Sequence, residues 1–291
     1  MEPAIRLSAV TKLIDGRPAV QGIDLTVYPG EMLGLVGPDG AGKTTLTRLA
    51  AGALAPTSGT VEPESRGRVG YLSGRFSLYP ELTVWENLRF FAELYQMKGP
   101  AIKAAGEQLL ESLGLLAFRA RRAGALSGGM RQKLALACAV VHQPPILILD
   151  EPTTAVDPVA RNDFWTLLRE QAKAGRAVLM TTPYFNEAAG CDRVALLHEG
   201  RILAVDTPAA LRERLPVQMA LLAPLAGQRR GDVMAAAESL PGVVWTFPVG
   251  LGVRVALGSS GATAPEGYEL LPQEPTLEDL FIWLTRQEVA V

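Results

Sequence analysis

Residues 37–45 read GPDGAGKTT. They follow the apolar run EMLGLV (31–36) and fit G-x-x-x-x-G-K-[ST], the pattern of a phosphate-binding loop. The chemistry lies in the residue types. Gly37, Gly40 and Gly42 let backbone N–H groups wrap an anion, with Pro38, Asp39 and Ala41 at the variable positions. A helix opening after the loop adds positive potential. Lys43 would reach the β- and γ-phosphates of a nucleoside triphosphate. Thr44 would hold Mg²⁺, with Thr45 beside it. The context predicts strand, loop and helix, the helix running from Lys43 to Leu54.

Two further stretches extend the site. ILILDEPTTAVDP (146–158) is a continuous apolar strand of the kind buried on both faces, and it ends in an acid. Asp150 suits Mg²⁺, directly or through water. Glu151, one residue on, is placed to orient or deprotonate a water for attack on a γ-phosphate. LSGGMRQKLALACA (126–139) begins with Leu126, then Ser127, Gly128 and Gly129 at a helix start. Its free backbone donors make a second anion-binding edge. Alone, that stretch is an ordinary N-cap. Beside a phosphate loop and a strand-end Asp-Glu pair it is specific.

The rest of the chain supports an α/β fold with a largely parallel sheet. Strands are expected at IRLSAV, GIDLTVY, EMLGLVG, RVGYL, ILILD, AVLMTT and VALLHEGRILAV. Helices are expected over Leu82–Gln96, Ala101–Leu115, Ser127–Val141 and Pro158–Ala174. After Pro216 the texture changes to short strand-like runs, Ala- and Gly-rich turns and a last amphipathic helix near Thr276–Gln287. This gives two domains, 1–215 and 216–291, with a helical subdomain at about 80–142.

Bulk composition narrows the function classes. A formal net charge of −2 argues against a generic nucleic-acid binder. No apolar run is long enough for a membrane span, and MEPAIRLSAV lacks the order of a signal peptide. Cys138 and Cys191, far apart, suit a reducing cytosol and a packing role. Only two histidines, His142 and His198, disfavour a histidine-based hydrolase or metal site.

At these motifs the chain resembles the ATP-binding-cassette (ABC) family, the nucleotide-binding subunits of ABC transporters. GPDGAGKTT looks like its Walker A motif, LSGGM its signature, ILILDE its Walker B with the catalytic glutamate, and AVDP, including Asp157, its D-loop. The likeness covers about residues 4–215. LYPELTVWENLRFFAELY and PTLEDLFIWLT resemble exporter ATPases of the drug-resistance and ABC-2 kind, and within them the amino-terminal cassette of tandem-cassette subunits. The resemblance implies a P-loop NTPase cassette: a RecA-like core plus helical subdomain, here with a small α+β accessory domain. It implies ATP and Mg²⁺ as cofactors. It implies a head-to-tail dimer with a second cassette, and a membrane-spanning partner at the cytoplasmic face of the membrane.

Three positions depart from the family pattern. Where it places a histidine after TT, to touch the γ-phosphate and the attacking water, AVLMTTPYFN (177–186) has Pro183. The ring offers no donor, although Thr182 suits a helix cap and Pro183 its first position. Where it places a glutamine after RVGYL, the chain has Gly74. The aromatic that often stacks on adenine is replaced by Ile14, which can still pack on a base. The expectation is that Mg-ATP binds here and is hydrolysed slowly. The intact signature would serve a partner cassette in a heterodimer, a homodimer being the alternative. A soluble ABC ATPase without transport, and a nucleotide-gated regulatory subunit without turnover, are the competing classes. Trp85, Phe91 and Tyr95, at helical spacing, are expected in the core, and the loop Gly74–Pro80 is a candidate contact for the membrane partner.

Overall fold

The computed structural model describes residues 2–63, 69–74, 78–154, 158–225, 229–258 and 262–289. The chain divides into two compact units, Met1–Pro208 and Ala209–Val291.

The first unit opens with a long antiparallel hairpin, β1 (Ile5–Ile14) and β2 (Arg17–Val27). Asp15 and Gly16 turn it with φ of 50° and 77°, the positive values that a two-residue loop needs to match strand twist. Then come β3 (Met32–Val36), α1 (Lys43–Ala50) and β4 (Ser58–Pro63). Helix α1 stops short of the expected Leu54, because the chain turns at Gly52 with φ 71°. Strand β4 was not expected from SGTVEP, which is short and lacks an apolar alternation. It pairs antiparallel with β1 and completes a sheet of order β2-β1-β4. Gly59 is required there, since a Cβ would come within 2.4 Å of the Ala9 carbonyl oxygen.

The chain continues through β5 (Val69–Leu72), α2 (Val84–Leu94), α3 (Gly99–Ser112) and α4 (Gly128–Val140). It returns through β6 (Ile146–Leu149), α5 (Pro158–Lys173), β7 (Ala177–Thr182), α6 (Phe185–Ala188), β8 (Arg193–His198) and β9 (Arg201–Asp206). Six strands form one sheet in the order β5-β6-β7-β3-β8-β9. All neighbours are parallel except β8 and β9, which form a hairpin. Strands β3, β6 and β7 are buried at every residue, as near-continuous apolar runs in a covered parallel sheet should be. Leu33, Leu35, Leu46, Leu49, Ile148 and Leu179 lie in one cluster between this sheet and α1. Each such side chain contributes ~1.5–3 kcal/mol by leaving water.

Helices α2, α3 and α4 make the helical part of this unit. Thr83 caps α2 through its hydroxyl, which accepts from the Glu86 N–H, and the Glu86 carboxylate accepts from the Thr83 N–H in return. Helices α2 and α3 are separate, and Gly99-Pro100 opens α3, since proline fits a first turn. The expected core aromatics are placed differently. Trp85 and Phe91 are half-buried, and Tyr95 is exposed and stacks on His142 with ring centroids 3.5 Å apart. The apolar stripe of α2 is carried by Val84, Leu88 and Ala92 instead.

Helix α7 (Pro208–Glu213) spans the division. The second unit holds β10 (Gln218–Pro224), α8 (Arg230–Glu238), β11 (Val243–Val249), β12 (Gly252–Leu257), β13 (Tyr268–Gln273) and α9 (Leu277–Val289). Its antiparallel sheet runs β11-β12-β10-β13. Helix α8 covers one face through Val233 and Ala237 against Leu222, Val253 and Val255. Arg254 of β12 holds the buried Asp279 of α9 at 2.6 Å, and Asp279 also accepts from the Thr276 N–H and hydroxyl. Among the described residues, no helix is long and apolar enough to cross a membrane.

Candidate functional site

Sheet order decides the site. Strand β7 lies between β3, which feeds the glycine loop, and β6, which feeds Asp150 and Glu151. The parallel register sets Val36 beside Thr182 and Leu149 beside Met180. The carboxyl ends of the three strands therefore meet, the place where open α/β sheets collect ligand groups. Pro183 follows Thr182 at the middle tip.

The glycine loop is shaped by its neighbours. A Cβ on Gly37 would lie 2.1 Å from the Leu197 carbonyl oxygen. One on Gly42 would lie 2.5 Å from that of Ala19, and Gly42 has φ 106°. Neither position admits a side chain. Pro38, Asp39 and Gly40 are exposed, whereas Ala41 is buried beneath the loop. The Lys43 side chain is buried and curls back beneath the loop. Its ammonium donates to the carbonyls of Gly37 at 2.8 Å and Pro38 at 3.1 Å. It also pairs with the Glu151 carboxylate at 3.4 Å. Thr44 and Thr45 are half-buried in the first turn of α1.

The acid pair is held from β7. Thr181 donates its hydroxyl proton to Asp150 Oδ1 at 2.9 Å, and its oxygen accepts from the Glu151 N–H at 2.8 Å. Asp150 is buried and Glu151 is half-buried. Glu151 has φ 49°, a left-handed conformation that side chains rarely adopt. Such a geometry persists where its surroundings over-determine it, and it recurs at functional sites. Gly74 follows β5 and is exposed. A Cβ there would stand 3.9 Å from Asp150 Oδ2, in ordinary van der Waals space. A longer polar side chain at 74 would thus start beside the Asp150 carboxylate.

At Pro183 one expectation is corrected. Thr182 does not cap a helix that begins at Pro183. Its oxygen accepts from the Tyr184 N–H at 3.1 Å, and α6 begins at Phe185. Thr182 has a second partner that the sequence does not mark. Glu187 is buried and takes the Thr182 hydroxyl at 2.8 Å and the Thr153 hydroxyl at 2.8 Å. Arg161 Nη1 stands 2.9 Å from its other oxygen. No signal in FNEAAG marks that glutamate as buried.

Ser127 caps α4, its hydroxyl accepting from the Met130 N–H at 3.3 Å. Ser127 is exposed and Gly128 and Gly129 are half-buried, while Leu126 anchors the turn from below. Ile14 is 47% exposed at the end of β1, open to an apolar ligand face. Asp157 lies outside the described residues, as do 75–77 of the candidate contact loop. What remains of that region borders a cavity lined by Ser73, Leu78, Phe91, Leu94, Tyr95 and His142.

Similarity to known proteins places this geometry. The ABC transporter family profile matches residues 20–154. Nod factor export ATP-binding protein I of Rhizobium meliloti is 36% identical over 309 residues, covering 98% of this chain and 89% of that protein. The chain belongs to the ABC transporter family. The probable multidrug ABC transporter ATP-binding protein YbhF of Escherichia coli is 39% identical over 269 residues. That match takes 88% of this chain but only 46% of YbhF, so the chain spans about half the length of that relative. Among solved structures, the dimeric post-hydrolysis state of the cassette MJ0796 with ADP and Pi has TM-score 0.64 at 26% identity. It covers 70% of this chain and 98% of that one. The P-loop NTPase fold of the ABC cassettes follows from these likenesses.

Proposed function

We propose that this ABC subunit binds Mg-ATP and hydrolyses it slowly at its own site, while its signature edge completes a faster site on a partner cassette. The tip of β7 supports the reading most. It stands between the glycine loop and the acid pair, and it carries proline. Residues 37–45 cradle the phosphates, with the Gly37–Gly42 loop and the helix start supplying backbone donors. Lys43 takes the β- and γ-phosphates, exchanging its bond to Glu151 for one to phosphate. Thr44 and Asp150 would hold Mg²⁺, which would lower the negative charge that the attacking water meets. Ile14 packs on the adenine. Glu151 orients that water and accepts its proton as the bond from the γ-phosphorus to the bridging oxygen breaks.

Two helpers are missing from this step. Pro183 supplies no donor to the γ-phosphate, and Gly74 supplies no polar group beside Asp150. Removing one preorganised donor costs ~10²–10³ in rate. Binding does not depend on either. In a head-to-tail pair, Leu126 to Gly129 and Asp157 of this chain meet the nucleotide of the other cassette. The dimeric MJ0796 cassette supports a pair, and the exporter relatives support a membrane-spanning partner. That partner holds the subunit to the cytoplasmic face of the membrane, docked by the groove beside Gly74. The ATP-binding domain extends to about residue 215, and the accessory domain follows.

The test is composition. The tagged chain is purified from its host's membranes in mild detergent and every subunit identified by mass. A second cassette with histidine and glutamine at the two positions is the expected result. A complex with this cassette alone and brisk turnover contradicts it.

A further inference from the structure

Glu187 is a buried acid that none of the steps above uses. Burying a carboxylate is costly unless its oxygens are satisfied. Here groups from three separate elements face them: two hydroxyls donate to Oε2, and the Arg161 guanidinium balances the charge at Oε1 as an ion pair. Thr153 lies two residues past Glu151, Thr182 ends β7, and Arg161 lies on α5. Thr153 and Thr182 are fully buried and Glu187 is 7% exposed. Adjacent strand residues point to opposite faces. Accordingly Thr181 reaches back to Asp150 and the Glu151 N–H, while Thr182 reaches Glu187. The stretch 150–153 is thus tied to the tip of β7 at both of its ends. Between those ties sits Glu151, with φ 49°.

We propose that Glu187 is a positioning residue for hydrolysis. Through Thr153, Thr182 and Arg161 it holds the backbone of Glu151 in its left-handed turn and so aims the Glu151 carboxylate at the attacking water. The inference rests on the reading of Glu151 as the water-orienting group. It assigns Glu187 no contact with ATP. Loss of the clamp therefore lowers the rate of cleavage without lowering affinity.

The experiment is single-turnover cleavage of γ-labelled Mg-ATP by the full chain in excess, with the dissociation constant of Mg-ATP measured alongside. Glu187→Ala and Thr153→Val are expected to slow cleavage ~10–100-fold, as misplacing a catalytic group does. Affinity stays within about twofold, the signature of a contact made only in the transition state. Glu187→Gln recovers most of the rate, because its amide oxygen still accepts from both hydroxyls. Thr153→Val decides the matter if Glu187→Ala does not fold. Cleavage at the wild-type rate in folded Thr153→Val overturns the proposal, as does a parallel fall of rate and affinity. A wild-type chain that binds Mg-ATP and never cleaves it overturns the reading of Glu151 as well. Wild-type cleavage that Glu187→Ala leaves unchanged overturns the positioning role alone.

Discussion

Two charged side chains at opposite ends of one ion pair have separable duties. Lys43 is fixed by two loop carbonyls and by Glu151. Replacing it with alanine removes a charge-assisted contact to phosphate, worth ~1.5–3 kcal/mol. K43A is expected to weaken Mg-ATP binding ~10–100-fold, read by equilibrium titration. E151Q leaves the loop intact and is expected to keep affinity while slowing cleavage by ~10² or more, as loss of a general base does. Equal effects of the two variants on affinity would contradict these assignments. Legibility at this scale follows from locality. The glycine loop and the Asp-Glu pair are contiguous in sequence, and each residue type states its chemistry. Thr181 and Glu187 are not legible, since a strand-end threonine and a helix glutamate have ordinary surface roles. The pairing of β6 with β7 gives Thr181 its partners, and the fold brings Thr153 and Arg161 to Glu187.

Elements are legible in the sequence where period and punctuation agree, and obscure where they do not. Buried strands β3, β6 and β7 are unbroken apolar runs. Strand β4 carries a glycine and a proline in six residues and has no strand signature. It exists because β1 offers it an open edge. Threonine followed by proline suits a helix start, but the Thr182 oxygen accepts from the Tyr184 N–H in a turn and α6 begins at Phe185. Helix α2 tests capping directly. T83A removes an acceptor for Glu86 N–H and is expected to cost ~1 kcal/mol, seen as a lower urea midpoint. The cysteines test burial. Cys138 on α4 is pushed well above the usual thiol range by desolvation. Desolvation above all, with Asp192 adding to it, pushes Cys191 up to about 12. The raised values keep both thiols protonated at pH 8, so iodoacetamide is expected to label neither in the folded chain and both in urea. Rapid labelling of either in the folded chain would contradict the burial.

At the scale of the molecule, two anion-facing edges belong to one subunit, and they serve different nucleotides in the proposed pair. Ser127 is exposed at the start of α4, whereas Lys43 and Glu151 pair with each other beside Asp150 at the strand tips. In the assembled complex, S127R is expected to cut turnover at least ~10-fold by obstructing the partner's nucleotide and its transition-state donors. It leaves the affinity of this chain for Mg-ATP unchanged. Loss of affinity in the isolated chain would mean that the serine serves its own site. None of this asymmetry is written in composition. It was legible only by setting Pro183 and Gly74 against a family pattern, and the sheet order then put both positions beside the acid pair.

The central claim is that donors missing at these two positions make the site slow. The direct measurement is phosphate release from Mg-ATP by the purified chain, wild type against the double variant G74Q/P183H, at saturating nucleotide. The account predicts slow release by wild type and release at least ~10-fold faster in the double variant, part of the ~10²–10³ that one such donor supplies. Brisk release by wild type, or a folded double variant that binds Mg-ATP and releases phosphate no faster, would contradict it.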